Sequence, residues 1–426
     1  MKRKLAATLL GITLVATTML TGCGKTNESG KVDDGKNTSN EEVTIKYATY
    51  SAGPDHIKDL EAMIDEFEKQ NENINVEYEV IGFNDYFTKL QTQATSKTLP
   101  DVFEINYENF VTYANNGVLK DVTEIAKSDE TFDESVLTKG AIDHFKYQDK
   151  LYGLTEKFSN VVMYYNKDLF DAAGLEYPKP DWTWKDELKA AQALTKDGVY
   201  GTYSPVQYNE LYKTVAQNGG SLFDAEGKPT INSKENIEAV QWMIDKMNKY
   251  NVQPTPEQMS GKSPEDMFKN GEIAMLRTGS WMLGVFADAP FNWDIALEPA
   301  NTDKVHHVFV DGIVASANTK HADAAWKFIK FMSVDPTATK LRVESGWDLP
   351  VVDNEEVRES FLNIEKPESR EVIFEALETG IVPPTVLNYS RVQDKINEEL
   401  SKAVIGQVTV EEGLNEAQTK VEKIVK

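Results

Sequence analysis

The amino-acid sequence predicts an α/β protein. Three observations lead there. From Val43 onward, short β-rich runs alternate with amphipathic helical stretches. The chain has 426 residues, 40% hydrophobic and 27% charged, which is enough apolar material for more than one buried core. It shows no repeat with a period of 20 to 50 residues, which sets solenoids and propellers aside. One or two α/β lobes satisfy all three.

The elements follow in order. Residues 43–50 are β-rich, and Leu60, Ile64 and Phe67 in the next stretch fall at helical spacing. Ile74, Val76, Tyr78 and Val80 alternate as in a strand, residues 85–96 are amphipathic, and 101–105 supply a third strand. Strand, helix, strand, helix, strand predicts a parallel sheet covered by helices on both faces. Ligands of such sheets bind beyond the carboxyl ends of the strands, here near residues 47–55 and 106–109. Residues 161–165 read as a strand, and Thr183 with Asp186 or Glu187 as the capped start of a helix running to Leu194. A helical stripe covers 237–247, and strands are expected at 273–276, 292–297 and 308–316. A helix bearing Ala325, Phe328, Ile329 and Met332 on one face follows, and 391–404 and 410–425 read as helices.

The first residues set the compartment. Lys2, Arg3 and Lys4 precede an apolar stretch from Leu5 to Leu20. This has the form of a secretory signal over residues 1–22; a retained spanning helix would need about 20 mostly apolar residues. Leu20-Thr21-Gly22-Cys23 resembles the bacterial lipobox, and the only cysteine of the chain stands there. That resemblance implies cleavage before Cys23 and a diacylglycerol on its thiol, two acyl chains being enough for a stable anchor. Residues 25–42 contain Val32 as their one large apolar side chain, so 23–42 is expected to be a lipidated terminus and solvated tether. The protein is thus expected outside the cell, anchored to its membrane in the Gram-positive manner.

Charge and motif content narrow the function. Lys and Arg total 45 against 69 Asp and Glu, a net charge of −24 that repels nucleic-acid backbones. One cysteine excludes an internal disulfide and a cysteine zinc cluster. The sequence contains no G-x-S-x-G, H-E-x-x-H, G-x-x-x-x-G-K-[ST] or G-x-G-x-x-G. So many carboxylates make an acid–base pair uninformative. His306 and His307 are neighbours on an expected strand and face opposite ways, which argues against one shared metal ion. No cofactor and no metal is expected.

Six motifs then carry a specific resemblance: LPDVFEIN at 99–106, YYNKDLFDAAGL at 164–175 with TW at 183–184, QNGGSLFDAEG at 217–227, NGEIAMLRTGSW at 270–281, DGIVASANTKHADAAWKFIKFM at 311–332 and VTVEEGLNEAQTKVEKIV at 408–425. In this order the chain resembles extracellular solute-binding proteins of the maltose-binding type, the capture subunits of carbohydrate ABC importers. The resemblance implies a type II periplasmic-binding-protein-like fold. Its two α/β lobes would be discontinuous, 43–155 plus 313–365 and 156–312 plus 366–426, hinged around a ligand cleft. It also implies a monomer that binds a sugar, hands it to permease subunits and performs no chemistry. A secreted carbohydrate-active enzyme, or a binder of a polyol or ferric ion, is the alternative.

A pyranose offers C–H faces to aromatic rings and hydroxyls to polar side chains. The family pattern puts Trp281 of the GSW motif on the sugar, the alternative being a core tryptophan. Tyr50 stands nearer the strand end than Tyr47 and is the one expected at the crevice, with core packing as its alternative. Asn106, Tyr107 and Glu108 follow the LPDVF strand where relatives place polar contacts, and Phe158, Ser159 and Asn160 fall at the crossing between lobes. Asp311 and Gly312 replace a segment that is often glycine-rich in the family, which makes Asp311 a hydroxyl acceptor particular to this chain. Trp347 and Arg391 complete the set; Asp101 is expected to serve the turn at Pro100.

Overall fold

The computed structural model describes residues 42–54, 56–352 and 354–425. The signal segment, Cys23 and the tether up to residue 41 lie outside the described residues.

Strand Val43–Thr49 lies between Ile74–Val80 and Val102–Asn106 and is parallel to both, with Ile45 opposite Val76 and Tyr47 opposite Val102. Helix Ile57–Gln70 connects the first two strands and buries Leu60, Met63, Ile64 and Phe67; helix Phe83–Ser96 makes the second connection. To this point the parallel expectation holds. Beyond Val102–Asn106 the sheet becomes mixed. Strand His306–Ala315 runs antiparallel to it, with Asn106 opposite Asp311, and Gly153–Asn166 runs antiparallel to His306–Ala315. Local strand–helix alternation predicts only crossover-linked neighbours; a strand arriving from the distant half of the chain needs no crossover and enters in the opposite sense.

Gly153–Asn166 is longer than the expected 161–165 and belongs to two sheets. Its first half pairs with His306–Ala315, and its second half with Met275–Gly279 and Trp293–Ala296. A glycine begins it because a Cβ at Gly153 would meet the Ile313 carbonyl oxygen at 2.3 Å. The apolar cores divide accordingly into a two-lobed α/β architecture. Tyr47, Phe67, Phe328 and Ile329 fill one core and Phe103, Phe110 and Phe145 a second beside it. On the other side Tyr164, Phe268, Phe286 and Trp293 pack together, and Tyr208, Val240, Ile396 and Leu414 form a further cluster. Phe158 touches the clusters of both sides.

Local chemistry fixes several ends. The Thr183 backbone N–H donates to the Asp186 carboxylate at 2.9 Å, which makes Asp186 the capping-box partner of helix Trp184–Leu194. Glu187 is buried instead against Arg277 at 2.5 Å. Thr409 and Glu412 cap helix Val410–Glu422 in the same way. Asp101, expected to serve the turn at Pro100, instead accepts from the Lys46 amide at 3.0 Å and the Thr319 hydroxyl at 2.7 Å, a structural tie between segments distant in the chain.

Candidate functional site

The site begins at the end of the first strand. Glu104, fully buried on the next strand, accepts the backbone N–H groups of Tyr50 at 3.0 Å and Ser51 at 3.1 Å, which turns the chain outward there. Burial alone would raise the Glu104 carboxyl, but Lys157 against it holds it below its ordinary value. Lys157 gets there through a β-bulge: the register of Gly153–Asn166 slips between Thr155 and Lys157, so Glu156 and Lys157 both turn into the protein. Glu156 is taken by Arg342 at 2.6 Å.

Beside this cluster is a cavity of about 460 Å³, a size that suits a small organic ligand. Tyr50, Phe83, His56, Trp281 and Phe309 give it aromatic walls, while Asn106, Glu108, Ser159, Asn209, Asp311 and Asp348 supply polar groups. The Tyr50 hydroxyl donates to the Asp311 carboxylate. Burial pushes Asp311 up to about 7 against the pull of Lys157, with Glu104 adding to the rise. Burial likewise pushes Glu108 up to about 8 and raises Asp348.

Trp281 owes its position to its neighbour. It follows strand Met275–Gly279 in a single tight turn, and its ring lies on Gly279: a Cβ there would sit 2.0 to 2.2 Å from the ring atoms. The indole therefore presents its other side to the cavity, half-buried, at 6.1 Å from the Phe309 ring. His307 stacks on Phe309 and donates from Nε2 to the Asn209 carbonyl at 2.7 Å. Behind them Arg277 and Lys213 tie together Glu187, Glu210 and Glu298 in a buried network that fixes helix Tyr208–Ala216 to the sheet. Burial would raise Glu210, yet Lys213, His307 and Arg277 outweigh it and hold the carboxyl at about 2.

Glu210, Glu298 and His307 bring metal-ligand atoms within 4.8 Å of one another. Lys213, 2.7 Å from both carboxylates, and Arg277, 3.3 Å from Glu210, already supply the charge an ion would bring. His306 turns the other way, to the Thr379 hydroxyl at 2.8 Å, as adjacent strand positions require.

Of the residues expected from sequence, the cavity brings together Tyr50, Asn106, Glu108, Ser159, Trp281, Asp311 and Trp347. Five fall away from it. The Tyr107 ring packs edge-on to His144 at 5.1 Å. Phe158 is spent on core packing. Asn160 is fully buried and donates to the Ile373 carbonyl at 2.7 Å. Gly312 makes room for Phe145, whose ring would lie 2.3 Å from a Cβ there. Arg391 borders a separate hollow of about 360 Å³ beside Asn109 and Tyr389. Sequence reasoning missed Lys157, His56, Phe83, Asn209, Phe309 and Asp348. For Phe309 a signal existed, since it shares a strand face with Asp311. Asn209 and Asp348 reach the cavity only through tertiary placement.

A model of the bacterial extracellular solute-binding proteins matches residues 53–338. The chain belongs to that family. Among solved structures, an ABC substrate-binding protein of Listeria monocytogenes in complex with cycloalternan is 46% identical, with a TM-score of 0.88, covering 90% of this chain and 99% of that one. The maltooligosaccharide ABC transporter solute-binding lipoprotein of Streptococcus pneumoniae serotype 4 is 23% identical over 99% of this chain and 97% of its own length. The cyclic alpha-maltosyl-1,6-maltose binding protein of Arthrobacter globiformis, 23% identical with a TM-score of 0.70 over 90% of this chain and 99% of its own, shares the fold.

Proposed function

We propose that this protein captures an oligosaccharide in the cleft and delivers it unaltered to the permease subunits of an ABC importer. The observation that carries the reading is the half-buried indole of Trp281, held on Gly279 in the wall of the cavity that the Tyr50–Asp311 pair also lines: an apolar face for a pyranose ring and hydroxyl partners in one cavity. The relative with bound cycloalternan favours that sugar or one like it. The lobes are 43–155 plus 313–365 and 156–312 plus 366–426, with the hinge at the long strand Gly153–Asn166. Sugar bridging them makes contacts available only in the closed form, so it shifts the population toward closure by its differential affinity. The protein works as a monomer and is anchored outside the cell through lipid on Cys23.

Calorimetry of the untethered protein against cycloalternan, maltooligosaccharides and monosaccharides tests this. Saturable binding of an oligosaccharide, recovered intact by chromatography, is expected; cleavage, or no binding across the panel, refutes it. Cys23→Ser should move the protein from the membrane fraction to the medium with sugar affinity unchanged. Continued membrane association of that variant rules out the lipid anchor.

A further inference from the structure

Two polar groups of the cavity wall depend on a bond made outside it. Asn106 ends strand Val102–Asn106, Glu108 stands in the first turn of helix Tyr107–Asn115, and both line the cavity. Glu108 Oε1 accepts from the Asn106 amide at 2.5 Å. Among the described residues no other side chain bonds that carboxyl, and its Oε2 is buried without a partner. The Asn106 side-chain oxygen accepts in turn from the Asn109 amide at 2.9 Å, and the Asn109 oxygen accepts from the Ser390 hydroxyl at 2.8 Å. Each amide accepts at its oxygen and donates from its nitrogen, so the four groups run head to tail and the hydroxyl at one end sets which way both amides face. Asn106, Glu108 and Asn109 are 5%, 5% and 4% exposed, which leaves little room for water to replace a lost donor.

Ser390 comes from the other side of the molecule. Helix Tyr107–Asn115 buries Phe110 and Tyr113 in the core that holds Phe103 and Phe145, whereas helix Tyr389–Val404 buries Tyr389 and Val392 among Tyr208 and Leu414. Ser390 is the second residue of the latter helix and lies outside the cavity lining. A second bond ties the same two helices: the Asn388 backbone N–H donates to the Thr112 hydroxyl at 3.1 Å, one turn along from Asn109. Both bonds join elements of different cores, so they hold in this arrangement of the lobes and break when the lobes part.

We propose that Ser390 is a positioning residue for ligand capture: from the opposite lobe, through Asn109, it orients the Asn106 amide and with it the Glu108 side chain, so this part of the cavity wall is set only while the second lobe is docked on the first. The inference rests on the sugar-capture reading above. Because the relay exists in one arrangement of the lobes and not in the other, whatever it adds to affinity is added in the docked form alone and favours that form when ligand binds. Losing the Ser390 hydroxyl therefore changes affinity through Asn106 and Glu108, without removing any group from the cavity lining.

The test is titration calorimetry with cycloalternan, maltotetraose and glucose on wild type, Ser390→Ala, Ser390→Thr, Asn106→Ala and the double variant of Ser390→Ala with Asn106→Ala, with a thermal melt of each. Ser390→Ala should bind the sugar about three- to tenfold more weakly, the factor one hydrogen bond is worth, and melt within about 2 °C of wild type. Ser390→Thr keeps the hydroxyl and should restore the affinity, which a mere disturbance of the helix start would not allow. The double variant should lose little more than Asn106→Ala alone, because the hydroxyl then has no amide left to orient. Unchanged affinity in Ser390→Ala, no recovery in Ser390→Thr, or losses that multiply in the double variant overturn the inference and leave sugar capture standing. Failure of the wild type to bind any of the three sugars overturns the sugar reading and this inference together.

Discussion

Gly279→Ala should weaken sugar binding by displacing a side chain two residues away. The backbone at Gly279 has φ −81° and ψ 162°, which any residue can adopt, so the methyl group brings no main-chain strain. Its cost is steric: at 2.0 to 2.2 Å from three Trp281 ring atoms, the new Cβ forces the indole off its bed and out of line with the cavity. One indole face covers roughly 80 Å² of a sugar, about half of what a buried aromatic contributes. At about 25 cal/mol per Å² its loss weakens binding by about 2 kcal/mol, or about thirtyfold in Kd. Titration calorimetry on Gly279→Ala, Trp281→Ala and the double variant reads this directly. Each single variant should lose a similar factor, and the double should lose little more than either, because the added methyl has no ring left to displace. Wild-type affinity in Gly279→Ala, or losses that multiply in the double variant, would refute the reasoning.

Three further expectations concern charge and packing. Glu108 titrates near 8 when folded and near 4 when unfolded, so the folded form keeps a proton that unfolding releases. Its contribution to stability therefore falls as pH rises between those values, by up to about 1.4 kcal/mol per pH unit. Urea unfolding of Glu108→Gln should accordingly show a larger gain over wild type at pH 8 than at pH 5; equal gains at both would show that the carboxyl is not held neutral. Arg277→Ala leaves Glu187 with only Lys246, 3.8 Å away, and Glu210 and Glu298 with only Lys213, and should cost about 3–5 kcal/mol in urea unfolding; a loss under about 1 kcal/mol would mean that the two lysines suffice. Phe309→Ala should weaken sugar binding while lowering stability by less than a core phenylalanine would, since that ring is only partly buried; unchanged affinity takes Phe309 out of the cavity wall.

What the sequence discloses is what depends on near neighbours. The apolar spacing of Leu60, Ile64 and Phe67 needs only the helix itself, and it appears in the structure as read. The alternation from Ile74 to Val80 does the same for a strand. Gly153–Asn166 is the instructive exception. Glu156 and Lys157 in its first half look like solvent-facing residues, so the apolar pattern exposes only the stretch after Asn160. Both charges are in fact buried because Arg342 and Glu104, distant in the chain, neutralise them. Likewise Tyr50 and Asp311, 261 positions apart, meet through sheet order alone. Polar type misleads at Asn160, which satisfies a buried carbonyl, and smallness misleads at Gly312, which yields space to Phe145. Trp281 was legible because its motif is compact, whereas Asp348 depends on a tertiary arrangement that no local pattern encodes.

The pairing of Val102–Asn106 with His306–Ala315 also bears on how the molecule comes into being. A polypeptide emerging amino end first builds its opening strands early, yet one of their borders stays bare until a partner arrives roughly two hundred residues later. Nascent chains cut short before residue 306 should thus remain loose and protease-sensitive. Such delayed closure leaves the amino-terminal half threadable until the distant partner strand has been made.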